Sequence, residues 1–149
     1  MRLLGYLNLV TDYDLGKVIK VHTIITPSNS TIKEKLRSLI IDTGADRTAV
    51  TKEFLKMNGY GKFTKSVASK TTATGTANFL MCEINGLTIA NQFKFGKIRI
   101  DVLENWQANT VVGVIGMDIL SQLTCILSHK HKKFLLTDQD IPDLAKLFV

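Results

Sequence analysis

An aspartate, a threonine, a glycine, an alanine and a second aspartate occupy positions 42–46, directly after the apolar run Leu39-Ile40-Ile41. Three consecutive apolar residues, two of them β-branched, suit a strand covered on both faces, and Thr43-Gly44-Ala45 is small enough for a tight turn. Such a strand delivers Asp42 to its buried end. A carboxylate there is destabilising unless it is hydrogen-bonded or paired. One partner that satisfies it is a second Asp42 from an identical chain. Two carboxyls about 3 Å apart cannot both ionise, so one keeps a proton while the other stays charged. That pair is an acid and a base in one place, able to activate a water without a metal or a cofactor.

A second stretch has the composition to brace that turn. Val111-Val112-Gly113-Val114-Ile115-Gly116 reads as a further buried strand, and Met117-Asp118-Ile119-Leu120-Ser121-Gln122-Leu123 as a short helix with Ile119, Leu120 and Leu123 on one face. Thr124-Cys125-Ile126-Leu127 reads as the next strand. In order and separation, these segments and Asp42-Thr43-Gly44-Ala45-Asp46 resemble the catalytic motif of the retropepsins and the strand and helix that brace it. Retropepsins are the single-domain aspartic proteases of retroviruses and their cellular relatives. The similarity spans residues 39–127.

The resemblance implies a mostly β protein with a retropepsin-like closed β-barrel (the acid protease fold), a flap hairpin and one short helix after the second buried strand. It also implies a homodimeric aspartic endopeptidase acting on a peptide or protein substrate. Asp42 would be the catalytic carboxyl, Thr43 would hydrogen-bond across the twofold axis, and Gly44 would offer its carbonyl to substrate backbone. Ala45 and Asp46 would meet the peptide further out, and Thr74, Gly75 and Thr76 would contribute from the flap. No metal and no cofactor are implied. The rival reading is a catalytically inactive retropepsin-like module kept for dimerisation or peptide binding; Thr43 and Gly44 beside Asp42 argue against it.

Two departures from the family pattern matter. The family often has Arg or another polar residue directly after the second-strand glycine, where it can pair with the acidic residue two beyond the motif's glycine. Met117 stands at that position here. Asp46 therefore lacks that partner, and either Arg47, Arg37 or the surroundings of Asp118 compensate, or the dimer is built differently. The multi-glycine flap tip of the viral enzymes is replaced by Thr71-Thr72-Ala73-Thr74-Gly75-Thr76.

At 149 residues the chain has room for one domain, 1–149, with a real core but not for two lobes. Two-lobed aspartic proteases carry both carboxylates in one chain, whereas this sequence has a single Asp-Thr-Gly, no Asp-Ser-Gly and no internal repeat. The formal net charge is +6. The lysines are scattered, however, and no recognition helix, zinc-finger spacing or aromatic-basic strand motif accompanies them, so nucleic acid is not an expected partner. No apolar run is long enough to span a bilayer, and Met1-Arg2-Leu3-Leu4-Gly5-Tyr6 lacks a signal-peptide core. With Cys82 and Cys125 outside any paired-cysteine motif, a reduced, cytoplasmic protein without membrane contact is expected.

The remaining elements follow from pattern. Residues 3–10, 17–26 and 33–41 read as strands, with residues 1–4 either a dimer contact or an ordinary edge. Thr51 is an N-cap and Gly59 a stop for a short helix, with Val50, Phe54 and Met57 on one core stripe. Residues 66–80 hold the position of the flap. Residues 79–84 and 87–93 flank Asn85-Gly86, the strongest hairpin signal in the chain, for which a type I′ turn is expected. Val50, Ile84, Val114 and Ile115 are candidates either for apolar subsite walls or for core, and Trp106 is assigned to core packing. A terminal helix over 143–148 is expected after Pro142.

Overall fold

Short β-rich runs pair into strands in the computed structural model, which describes residues 8–10, 18–66, 70–72, 75–77, 79–106 and 110–139. In chain order the elements are β1 (Asn8–Val10), β2 (Lys20–Ile25), β3 (Leu36–Ile41), β4 (Ala49–Thr51), α1 (Lys52–Met57), β5 (Thr64–Lys65), β6 (Lys70–Thr72) and β7 (Gly75–Ala77). There follow β8 (Leu80–Ile84), β9 (Leu87–Ile89), β10 (Phe93–Phe95), β11 (Ile98–Leu103), β12 (Val111–Ile115), α2 (Met117–Leu120), β13 (Thr124–Ser128) and β14 (Lys133–Thr137). The expected terminal helix, the N-terminal residues 1–4 and Thr74 lie outside the described residues. No helix among the described residues is long and apolar enough to cross a membrane.

The largest sheet has the order β10-β9-β2-β3-β12-β4-β11-β8-β5, beside a three-stranded sheet β1-β14-β13 and a two-stranded sheet β6-β7. The chain is thus mostly β. The long ladder does not close on itself. Its ends, β10 and β5, are three and two residues long and carry exposed Lys94 and Lys65. Short, lysine-bearing edges resist further pairing. In place of the closed barrel expected from the resemblance, the described residues form an open sheet.

At the centre of that sheet, β12 is inserted between β3 and β4. It runs parallel to β3, with Val114 opposite Ile40 and Ile115 opposite Ile41, and antiparallel to β4, with Gly113 opposite Val50. The parallel pair brings the ends of β3 and β12 out at the same edge of the sheet, where Asp42 and Gly116 follow. Gly113 is required for this packing: a Cβ there would lie 2.0 Å from the Ala49 carbonyl oxygen. Val21, Leu39, Leu55, Ile84, Ile89, Ile100 and Ile115 are buried in the core between the elements.

Two local expectations are corrected. Residues 80–84 and 87–89 do form strands, but β8 pairs with β11 and β5, while β9 pairs with β2 and β10. Asn85-Gly86 is a corner between two parts of the sheet, not a hairpin turn. Gly86 has φ +154° and its carbonyl accepts from Thr26 N–H at 2.9 Å. The side chain of Tyr60 holds this corner, its hydroxyl accepting from Asn85 N–H and donating to the Thr26 carbonyl. The left-handed pair expected of a type I′ turn occurs instead at Ala90 and Asn91, φ 54° and 57°, and joins β9 to β10. In α1, Thr51 Oγ1 accepts from Phe54 N–H as an N-cap does, and Phe54 and Leu55 are buried. Met57, assigned to the same stripe, is 46% exposed, because the buried face of the helix runs through Phe54, Leu55 and Asn58 and leaves Met57 to one side of it.

Replacing Gly113 with Ala forces β4 and β12 apart at a backbone-to-backbone contact. The expected result is a loss of about 2 kcal/mol or more of stability, read as a lower urea midpoint with little change in slope. An unchanged midpoint would mean that the β4–β12 contact is looser than described.

Candidate active site

Asp42 continues the β3–β12 ladder by one residue: its N–H donates to the Ile115 carbonyl at 3.0 Å. The chain then turns at once. The Asp42 carbonyl accepts from Ala45 N–H at 3.2 Å, and the side-chain Oδ1 accepts from Gly44 N–H at 2.9 Å. A Cβ on residue 44 would lie 3.3 Å from that same Oδ1, so glycine lets the amide come up to the carboxyl without crowding. Asp42 accepts no other hydrogen bond from the described residues. One carboxyl oxygen is thereby fixed, and the other is left for a water or a second carboxyl.

The turn is clipped to the start of α2. The Ala45 carbonyl accepts from Met117 N–H at 2.8 Å and the Asp46 carbonyl from Asp118 N–H at 3.1 Å. Gly116 makes this crossing possible, since a Cβ there would meet the Arg47 carbonyl carbon and oxygen at 2.5 and 2.6 Å and the Ala45 oxygen at 2.8 Å. The Asp118 carboxylate completes the clip. It accepts from Thr48 N–H at 2.9 and 3.0 Å, from the Thr48 hydroxyl at 2.8 Å and from Ile119 N–H at 2.9 Å. The Thr48 oxygen in turn accepts from Gly116 N–H at 3.2 Å.

These two residues answer the question raised by Met117. Neither candidate arginine reaches Asp46: Arg47 contacts the Met81 sulfur, and Arg37 donates to the Leu36 carbonyl and lies over Phe54. Of the compensations considered, the surroundings of Asp118 are the one that braces the loop. Thr48 was not singled out in the sequence. The signal that points to it is an acid in the first turn of a helix opened by Gly116, which needs donors from the loop it faces.

Asp42 is half-buried, Ala45 is half-buried, and Thr43, Gly44 and Asp46 are exposed. The expected burial of the carboxylate is therefore not met within one chain, because Ile40 and Ile41 are themselves only partly covered. The site opens to the surface along its Thr43-Gly44 edge. Of the flap residues, Thr74 lies outside the described residues; Gly75 pairs with Thr72 and Thr76 with Thr71 in the two-stranded sheet. No strand pairing among the described residues joins that sheet to the Asp42 turn. Val50, Ile84 and Ile115 are core residues, and Val114 is half-buried. Cys82 offers no rival nucleophile: burial, with the nearby Glu83 carboxylate adding to it, pushes its thiol up and keeps it protonated at neutral pH.

The family described as gag-polyprotein putative aspartyl protease has a sequence model that matches residues 28–122, which include both the Asp42 turn and α2. No curated protein sequence matches the chain. Among solved structures, a retropepsin-like aspartic protease from Rickettsia conorii superposes with a TM-score of 0.63 at 18% identity, covering 88% of this chain and 90% of that one. EIAV protease, solved in complex with the inhibitor HBY-793, superposes with a TM-score of 0.52 at 19% identity, covering 73% of this chain and 90% of that one. At these identities the two structures speak for the fold. The family match covers more than half of the chain, with the Asp-Thr-Gly turn and its clip inside it, and so the chain belongs to the gag-polyprotein putative aspartyl protease family, of retropepsin-like fold.

Proposed function

We propose that the chain is a homodimeric aspartic endopeptidase, acting in the cytoplasm on a peptide or protein substrate. The observation that carries this reading is the Asp42 carboxyl, fixed through Oδ1 to Gly44 N–H, with its other oxygen left unbonded beside an exposed edge. A single chain supplies one such carboxyl. A second copy, related by a twofold axis through that edge, brings its own and covers the exposed Thr43-Gly44 face.

In the assembled site one Asp42 is ionised and the other protonated. The ionised carboxylate takes a proton from the shared water as its oxygen adds to the scissile carbonyl carbon, while the protonated carboxyl polarises the carbonyl oxygen. The tetrahedral intermediate then collapses. Its C–N bond breaks as the nitrogen receives a proton from the pair, which is returned to its starting state. Thr43 hydrogen-bonds across the axis, Gly44 offers its carbonyl to the substrate backbone, Ala45 and Asp46 contact the peptide, and Thr74, Gly75 and Thr76 close over it as a flap. Excluding water in this way strengthens every polar contact inside.

Cleavage of a mixed peptide library at mildly acidic pH and high protein concentration tests the proposal. Asp42→Asn is expected to lower the rate by at least ~10²-fold while leaving a dimer of unchanged sedimentation mass. Wild-type cleavage is expected to follow a bell-shaped pH profile on the acid side of neutral. It falls at low pH as the second carboxyl gains a proton, and at higher pH as the shared proton is lost. A flat profile, or Asp42→Asn cutting as wild type does, would rule the dyad out. A stable, folded wild-type dimer that cuts nothing would assign the fold to dimerisation or peptide binding instead.

The clip gives a separate expectation. Asp118→Ala strips the acceptor from buried Thr48 N–H and from Ile119 N–H, and is expected to lower stability by about 2 kcal/mol and activity with it. Asp118→Asn keeps one acceptor oxygen and is expected to lose less of both. Urea midpoints and initial rates on the two variants check the order, and equal values would remove the clip from the account.

A further inference from the structure

At the opposite end of β3 from Asp42 there is a second concave site. A cavity of about 220 Å³ is lined by Arg37, Glu53, Phe54, Met57, Trp106 and Val112, among other residues. Arg37 lies five positions before Asp42, about 16 Å along an extended strand, so the cavity is distinct from the Asp42 turn.

Its cation is held ready. Arg37 Nη1 donates to the Leu36 carbonyl at 2.8 Å, and the guanidinium carbon lies 5.8 Å from the centre of the Phe54 ring. The ring contact and the backbone bond place the guanidinium at the cavity, and Arg37 makes no ion pair with any described residue, including Glu53 on the same wall. Of the other walls, Thr51 and Glu53 are polar and the rest are apolar. Phe54 and Val112 are buried, Met57 projects into the open, and Trp106 is fixed by its Nε1–H donating to the Val111 carbonyl at 2.7 Å.

A guanidinium with free donors, set between polar Thr51 and Glu53 on one side and the apolar and aromatic side chains of Phe54, Met57, Trp106 and Val112 on the other, matches a ligand that carries a carboxylate and a large apolar group together. The cavity is smaller than the ~300–1,000 Å³ of typical drug-sized pockets, so it has room for one residue and not for a longer segment. An internal Asp or Glu supplies the charge without the apolar group. We propose that this cavity captures the C-terminus of a peptide ending in an apolar residue, with its carboxylate on Arg37 and its last side chain against Trp106, Met57 and Val112. Hydrolysis of a peptide bond after an apolar residue creates such an end, but the capture itself does not involve Asp42.

Trp106 is the only tryptophan in the chain and reports directly on the site. The full chain is titrated at neutral pH with N-acetylphenylalanine and with its uncharged amide, following Trp106 emission. The acid is expected to give a saturable change at least ~10-fold tighter than the amide. Arg37→Gln, with far-UV circular dichroism unchanged, is expected to bring the two ligands to parity, and Arg37→Lys to restore part of the preference. Asp42→Asn is expected to bind the acid as wild type does. Equal responses to acid and amide would mean plain apolar contact and overturn the proposal, as would no saturable response. A preference that survives Arg37→Gln, or disappears in Asp42→Asn, would place the ligand elsewhere and overturn it too.

Discussion

The structure depends on the parallel pairing of β3 with β12, which brings two chain segments out at one edge of the sheet. Extended backbone that leaves a sheet must satisfy its amides and carbonyls at once, or lose the free energy of unpaired polar groups. Here the two exits satisfy each other. Asp42 N–H bonds back to Ile115, the carbonyls of Ala45 and Asp46 receive the first amides of α2, and Asp118 collects the amide and hydroxyl of Thr48. Two glycines keep the exits close: Gly113, where β4 presses on β12, and Gly116, where the loop crosses it. The position of the Asp42 carboxyl therefore follows from backbone hydrogen bonds more than from side-chain packing around it.

That construction fits the proposed reading, in which one chain is half of a site. The clip fixes the inner side of the turn and leaves its outer side, Thr43 and Gly44, in solvent. A carboxyl with one oxygen bonded and one free is well placed to share a proton with a like group, and poorly placed to act as both acid and base by itself. The absence of an arginine after Gly116 does not loosen the turn, because Asp118 performs the bracing one residue later.

Much of this was legible in the sequence. The Asp-Thr-Gly turn, its apolar strand, the buried strand ending in Gly116 and the helix capped by Thr51 are all set by local pattern, and the structure has them. What pattern could not give was partnership. Asn85-Gly86 has the residues of a hairpin turn, but both strands beside it find longer partners elsewhere, and the left-handed turn forms at Ala90-Asn91 instead. The closed barrel failed for the same kind of reason, since closure depends on two edges that the sequence makes short and charged. Thr48 and Asp118 are 70 residues apart, and neither is unusual alone; only the sheet order makes them neighbours. Met57 read as core because it lies three residues after Phe54, but the face that is buried is the one through Phe54, Leu55 and Asn58.

The central claim is that two Asp42 side chains share one catalytic site, and mixing tests it most directly. Wild-type chains are allowed to exchange subunits with Asp42→Asn chains at fixed total concentration, and peptide cleavage is measured against the wild-type fraction. If both carboxyls are needed, activity follows the square of that fraction, so that an equal mixture retains about a quarter of the rate. A linear decline, with about half the rate at equal mixture, would mean that each chain works with its own carboxyl, and would contradict the shared site.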